Sequence, residues 1–285
     1  LSVFGDCSEA FEQSSFFKAK VKETILVSLT EFGNKYPLLK PNLPFWEKYY
    51  TAKESVLELL PAIIDIDLLK SSDFFKNPEN NQPFLAHNQI EISAENGRKL
   101  VKAFASAMGL KVRSYNFIEK ISLTAELDLK ENITSFVIAE VHATICNYIA
   151  SQLSSEPANW LELMCPICGE PAGMGLLNDK AKKELCCSHC HTEWIYSRSK
   201  CGLCGHQENE KGTVIVTSDD FKDWIVDLCE ECKHSVKSFD MRKGNNRPKR
   251  MPLFSLTSWG FDIAMVERGY EPAFFTIYER AGWLK

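Results

Sequence analysis

Eight cysteines in this chain fall into four Cys-x-x-Cys pairs, Cys165/Cys168, Cys187/Cys190, Cys201/Cys204 and Cys229/Cys232. Such a turn lets two thiolates face one ion while nearby backbone amides donate hydrogen bonds to sulfur. Two turns complete a tetrahedral shell of four sulfurs, a donor set that suits zinc or iron. Gly169 and Gly205 follow their pairs directly, where glycine tolerates the positive φ of a tight turn. Eighteen residues (169–186) separate Cys168 from Cys187, and twenty-four (205–228) separate Cys204 from Cys229. Either gap can hold a two-stranded hairpin, so each half reads as a zinc-ribbon or rubredoxin-like β unit. Sequential pairing of the knuckles, first with second and third with fourth, is preferred because it makes two similar units. Nested pairing would join the second to the third across 191–200 and the first to the fourth. Spacing alone does not separate iron from zinc, so the implied cofactors are two metal ions of either kind.

The other thiols and imidazoles receive bland readings. Cys186 breaks the pair symmetry and is read as a small packed residue, and Cys7 and Cys146 as packing residues on helices. A complete four-sulfur shell has no place for His189, His191, His206 or His234, which are expected in solvent or beside the shell. Structural stabilisation of a small β domain is the commonest use of such sites, with a redox or transfer role the sharper alternative. A thioredoxin-type role needs the pair to open a helix after a buried strand, and none of the four has that setting. No Gly-x-Ser-x-Gly, Walker loop, dinucleotide fingerprint or His-Glu-x-x-His occurs. Because four thiolates saturate a tetrahedral ion, no open position is left for substrate, and a non-enzymatic protein is expected.

The elements that must position these residues divide the chain. Residues 1–157 read as a helical domain. An apolar stripe runs through Phe11, Phe16, Phe17, Val21, Ile25 and Leu29, and Pro37, Pro41 and Pro44 break it. Helical spacing resumes from Phe45 to Leu60, from Ser93 as N-cap to Met108 before Gly109, and from about Ile133 to Gln152. Ser154-Ser155-Glu156-Pro157 reads as the linker. Residues 158–241 then form the double four-cysteine domain, with units at about 160–199 and 200–241. Its β-branched and aromatic runs at 192–196, 213–217 and 224–226 read as strands. Residues 242–285 supply a basic linker containing Arg242, Lys243, Arg247, Lys249 and Arg250, then a C-terminal helix through Leu256, Trp259, Ile263 and Val266, stopped by Gly269. The fold class is therefore α+β.

The 285 residues, 45% of them hydrophobic, suit one large domain or two unequal ones. A net charge of −5 gives the molecule no bias toward nucleic acid or an anionic membrane. Residues 160–250 hold fourteen basic and fourteen acidic side chains, before thiolates add negative charge, which argues against a nucleic-acid ribbon. The longest continuous apolar runs fall far short of the ~20 residues a bilayer needs, and no signal-peptide pattern opens the chain. A cytoplasmic location follows as the expectation, with no membrane partner. Nothing in the pattern fixes the oligomeric state.

Taken together, Cys165-Pro166-Ile167-Cys168-Gly169, Cys187-x-x-Cys190-x-Thr192-Glu193-Trp194, Arg198, Cys201-x-x-Cys204 and Cys229-x-x-Cys232 resemble the FdhE family of formate dehydrogenase accessory proteins. The resemblance is specific across about residues 160–240 and weaker from Asp262 to Tyr270, while the helical half matches in general character. Lys237 stands where the family has a lysine after its last cysteine pair, but the Tyr-Leu that usually precedes it is Ser235-Val236 here. The resemblance implies a maturation factor, or chaperone, that binds the catalytic subunit of a respiratory, molybdenum- or tungsten-containing formate dehydrogenase in the cytoplasm. It also implies rubredoxin-like binding of iron through these cysteines. Two rivals stand beside it, a zinc-ribbon nucleic-acid-binding module and a rubredoxin-type electron-transfer protein.

Overall fold

A computed structural model describes residues 29–71, 82–112, 120–122, 133–153, 160–207, 214–217, 222–243 and 251–273. The expected stripe before Leu29, Cys7, the linker at 154–157 and the basic residues from Arg247 to Arg250 lie outside them.

The helical part is built on α1 (Leu43–Leu57), α4 (Ala94–Met108) and α5 (Ile133–Gln152), with two short helices, α2 (Ile66–Lys70) and α3 (Phe84–Asn88), between α1 and α4. Pro41 lies inside a 3-10 turn, Pro37–Asn42, whereas Pro44 sits in the first turn of α1. Proline is tolerated there because the first-turn amides have no helical partner to lose. Helix α4 starts where expected, with the Ser93 hydroxyl accepting from the Asn96 amide at 3.3 Å, and Gly109 ends it in the left-handed conformation. Trp46 and Tyr49 of α1 pack with Leu100 and Phe104 of α4 and Val137, Val141 and Ile145 of α5 in the core.

Helix α5 is apolar on nearly every side, and its burial follows from that. At 20 residues it is long and apolar enough to cross a membrane, but 61% of its most apolar window is buried inside the protein. It carries Glu140 and His142 inward, both buried, and the Tyr49 hydroxyl donates to Glu140 Oε2 at 2.7 Å. A two-stranded antiparallel sheet of β1 (Glu91–Ser93) and β2 (Lys120–Ser122), not expected from the sequence, lies between α3 and α5 in chain order.

The cysteine-rich part forms one sheet. Strands β3 (Ala172–Leu177), β4 (Lys183–Cys187) and β5 (Glu193–Tyr196) make an antiparallel meander. So do β6 (Val214–Val216), β7 (Trp224–Leu228) and β8 (His234–Asp240). The two meanders join through a parallel pairing of β3 with β8, with Gly175 opposite Ser238, to give the order β5-β4-β3-β8-β7-β6. Glycine fits this join, since a Cβ on residue 175 would lie 2.3 Å from Ser238 Oγ. A buried ion pair, Lys183 Nζ to Asp227 Oδ2 at 2.6 Å, further ties the halves together.

Beyond the sheet come α6 (Met251–Ser255), α7 (Trp259–Glu267) and β9 (Glu271–Pro272), which pairs with β8 beside the last knuckle. The apolar repeat read along this segment does not mark the buried face of α7. Trp259, Ile263 and Val266 are 43%, 50% and 59% exposed, while Phe261 and Met265 are buried. Orientation is set instead by a polar anchor one residue past Phe261. Lys237 of β8, 3% exposed, donates to Asp262 Oδ2 at 2.6 Å and to the Ser255 carbonyl at 2.9 Å. Burial pushes the lysine below and the aspartate above its ordinary range, and each partner's charge offsets part of that shift. Removing one partner strands the other charge in the interior. Lys237→Met is expected to cost about 3–5 kcal/mol in urea unfolding, and Lys237→Met with Asp262→Leu to recover most of the loss. Equal losses in single and double variants would remove the pair as the anchor.

Candidate metal centres

Each knuckle is built on one local plan. The amide of the first cysteine donates to the carbonyl five residues on, in Cys165 to Glu170, Cys187 to Thr192, Cys201 to His206 and Cys229 to His234, at 2.8–3.0 Å. The residue before that carbonyl takes positive φ, namely Gly169 (82°), His191 (60°), Gly205 (72°) and Lys233 (55°). Glycine adopts this conformation freely, whereas His191 and Lys233 hold it at a cost of about 1–2 kcal/mol each. The first sulfur of a pair then lies over the amides of the turn. Cys165 Sγ accepts from Ile167 N at 3.4 Å, Cys187 Sγ from His189 N at 3.3 Å, and Cys201 Sγ from Leu203 N at 3.4 Å.

The fold brings the first knuckle to the second and the third to the fourth. Cys165, Cys168, Cys187 and Cys190 form one sulfur cluster, and Cys201, Cys204, Cys229 and Cys232 another. In the first, Cys165–Cys190, Cys168–Cys187 and Cys168–Cys190 are 3.5, 3.4 and 3.5 Å apart. In the second, Cys201–Cys232 and Cys204–Cys229 are 3.8 and 3.7 Å apart. These separations exceed a disulfide's ~2 Å by far. Four sulfurs at ~2.3 Å from one ion lie about 3.8 Å apart, so the second cluster matches a tetrahedral shell and the first is slightly tighter.

Thiol electrostatics point the same way. Burial pushes Cys168 and Cys187 well above the ordinary thiol range. Burial opposes charge on Cys190 as well, but hydrogen bonds from Cys165, Cys168, Cys187 and Thr192 outweigh it and hold that sulfur well below the range. Without a cation, burial therefore opposes ionisation of Cys168 and Cys187. Burial likewise raises Cys201 and Cys232 in the second cluster, while amides of Cys232 and Glu231 help lower Cys229 against burial. An ion with two positive charges at the centre removes the obstacle. Each cluster can thus hold one metal ion.

The two clusters differ in shelter. The first is packed against the helices: the Phe84 and Leu85 amides of α3 donate to the Pro166 and Ile167 carbonyls, and Asn147 Nδ2 of α5 donates to the Cys190 carbonyl at 2.7 Å. Trp194, of the Thr-Glu-Trp run, is buried and donates from Nε1 to the Glu162 carbonyl at 3.1 Å, tying the segment before the first knuckle to β5. In the second, Cys204 is exposed and Cys232 half-buried. Its fourth knuckle is clamped by the C-terminal segment, where the Glu271 and Ala273 amides donate to the Lys233 and Ser235 carbonyls and the Tyr270 hydroxyl reaches Glu230.

Residues set beside the cysteines in the sequence resolve into distinct roles. Cys186 is buried outside both clusters, its sulfur 3.8 Å from the His191 carbonyl. Arg198 donates from Nη1 to the Ala181 carbonyl at 3.2 Å and braces the β3–β4 turn. Burial, then the charge of Lys53, pushes His191 down to about 3, so it stays neutral near the first cluster. His189 departs from the solvated reading, since it is 2% exposed and its Nε2 lies 2.6 Å from His142 Nδ1. Arg242 is spent on a bidentate pair with Asp240 at 2.7 Å.

A seven-stranded sheet built from two fused four-cysteine ribbons and joined to a set of helices defines a protein with two sulfur clusters, each able to hold a metal ion. No family model matches the chain. The Protein FdhE homolog of Aquifex aeolicus (strain VF5) is 24% identical over 275 residues, covering 90% of this chain and 95% of that protein. A Protein FdhE homolog of Shewanella oneidensis is 32% identical over 84 residues, 28% of this chain and 27% of its own length. The crystal structure of the FdhE protein from Pseudomonas aeruginosa superposes with a TM-score of 0.57 at 17% identity, over 88% of this chain and 92% of that one. The chain is thus similar to FdhE proteins over nearly its full length, in sequence and in fold.

Unequal shelter gives a direct test. Chelator challenge of metal-loaded protein is expected to release one equivalent well before the other, and Cys204→Ser to accelerate only the early phase; equal rates would contradict the difference in burial. Gly169 offers a second. A Cβ there would meet Pro83 Cγ at 3.0 Å in a left-handed backbone, so Gly169→Ala is expected to cost about 1–3 kcal/mol by urea unfolding. Gly109, with nothing within 4 Å, is the control that should lose only the conformational part.

Proposed function

We propose that this chain is a non-enzymatic accessory protein in the maturation of a respiratory formate dehydrogenase, binding the enzyme's catalytic subunit in the cytoplasm. The observation that carries the reading is the full-length relation to an FdhE homolog together with all eight knuckle cysteines and the Thr192-Glu193-Trp194 run. Cys165, Cys168, Cys187 and Cys190 would hold one ion, and Cys201, Cys204, Cys229 and Cys232 the other. Ions bound there would neutralise the buried sulfurs, and iron in such a shell would also supply one-electron redox chemistry. The chain's own residues do the remaining work: turn amides share the negative charge of sulfur, and α3 and α5 fix the first centre to the helical part.

A protein partner accords with the surface beside α7. Leu38, Trp259, Ile263 and Val266 are exposed apolar side chains. A cleft of about 340 Å³ opens between the turn carrying Leu38, the sheet residues Trp224 and Phe239, and Trp259. Exposed apolar surface of this kind marks contacts more often than isolated residues do. The exposure of Cys204 favours a second reading, in which the outer centre passes electrons to a partner.

The test has two arms. Affinity capture with the full chain is expected to enrich the formate dehydrogenase catalytic subunit, and Trp259→Glu with Ile263→Asp to weaken that capture at least tenfold while both metals stay bound. No enrichment by metal-loaded wild-type protein would sink the maturation reading. Anaerobic purification with metal analysis and a visible spectrum decides the second reading. Iron with thiolate charge-transfer bands supports electron transfer, and two colourless zinc ions overturn it.

A further inference from the structure

Behind the first four-cysteine cluster, where α5 meets the second knuckle, the fold assembles a third group of donors. His142 and Cys146 lie one turn apart on α5, a spacing that puts both on the same face. His189 is the third residue of Cys187-Ser188-His189-Cys190, and its side chain points away from that cluster toward the helix. His189 Nε2 is 2.6 Å from His142 Nδ1, and Cys146 Sγ is 3.7 Å from the same nitrogen. The donor atoms of the three residues all lie within 4.8 Å of one another. Exposure is 6% for His142, 0% for Cys146 and 2% for His189, so the group is deep in the interior.

We propose that His142, Cys146 and His189 form a third metal site, for a thiophilic d10 ion of the Cu(I) or Zn(II) class. One thiolate and two neutral imidazoles make a mixed nitrogen–sulfur set that such ions favour and that calcium or magnesium does not. Metal–nitrogen bonds of ~2.0–2.1 Å and a metal–sulfur bond of ~2.3 Å place nitrogen and sulfur about 3.6 Å apart, close to the 3.7 Å between Cys146 Sγ and His142 Nδ1, with His189 within 4.8 Å of both. The same bonds put the two nitrogens roughly 3.4 Å apart. The imidazoles must therefore separate by roughly 0.8 Å from their hydrogen-bonded contact when the ion enters. Both sides of the site are held firmly. The His189 amide donates to Cys187 Sγ, and Asn147, next to Cys146, donates to the Cys190 carbonyl.

The third site has a donor set unlike the other two, so the experiment can distinguish them. The full chain is stripped, reloaded anaerobically with excess cadmium-113, desalted, and examined by metal analysis and cadmium NMR. Three ions per chain are expected, with two downfield resonances from all-sulfur shells and a third displaced upfield by nitrogen ligation. His142→Ala and Cys146→Ser are each expected to remove the third resonance and keep both others. A wild-type chain that holds two ions and gives two resonances overturns the proposal, leaving a hydrogen-bonded histidine pair that closes the interface. So does a third resonance that persists in both variants. The wild-type count decides the matter even where a variant does not fold. Cu(I) competition on zinc-loaded protein then identifies the ion. Uptake of one Cu(I) with both all-sulfur zincs retained assigns copper, and displacement of a third zinc shows the site takes either.

Discussion

Four cysteine sulfurs that converge on a point inside a protein without forming disulfides are tolerable either protonated or wrapped around a cation. Two thiolates about 4 Å apart repel by about 4 kcal/mol even at the moderate effective dielectric of a protein, and a shell of four has six such pairs. The knuckles reduce this cost by aiming turn amides at sulfur. Burial still pushes Cys168 and Cys187 of the first cluster above the ordinary thiol range, so part of the cost remains. The rest of the cysteine-rich part depends on that balance, because β3, β4 and β5 emerge from knuckles whose positions the first centre fixes.

What was legible in the sequence was local. A Cys-x-x-Cys turn carries its geometry in six residues, so Gly169 and Gly205 could be assigned left-handed turns from their places alone. Ser93 and Gly109 bounded α4 for the same reason, since caps are short-range chemistry. The parallel joining of β3 and β8 was not legible, because it pairs residues about sixty positions apart whose side chains carry no pairing code. The orientation of α7 was hidden differently. Trp259, Ile263 and Val266 have helical spacing and large apolar side chains, yet the Lys237–Asp262 pair turns that face outward. Apolar periodicity reports a stripe, and a buried charge beside it can outweigh it.

His142, Cys146 and His189 fall between these cases. The four-residue step on α5 is readable, but by itself it makes Cys146 look like ordinary helix packing. Its meeting with His189 depends on how knuckle two docks against α5, which no local pattern specifies. The same docking makes the first four-cysteine cluster part of one continuous core with the helices, from Trp46 through Ile149 to Cys165 and Trp194. Helices and ribbons are therefore expected to lose order together when the inner centre is emptied, whereas the outer centre borders solvent through Cys204.

The clamp on the fourth knuckle bears on how such a chain is made. Asp262, Glu271 and Ala273 are translated after all eight knuckle cysteines. Until that stretch is made, Lys237 lacks its Asp262 partner and one edge of β8 lacks β9. Before then the helices that pack on the inner centre are already complete, whereas the last brace of the outer one has yet to be made. The order of synthesis thus completes the ligands of the inner centre, 165–190, before those of the outer one, 201–232.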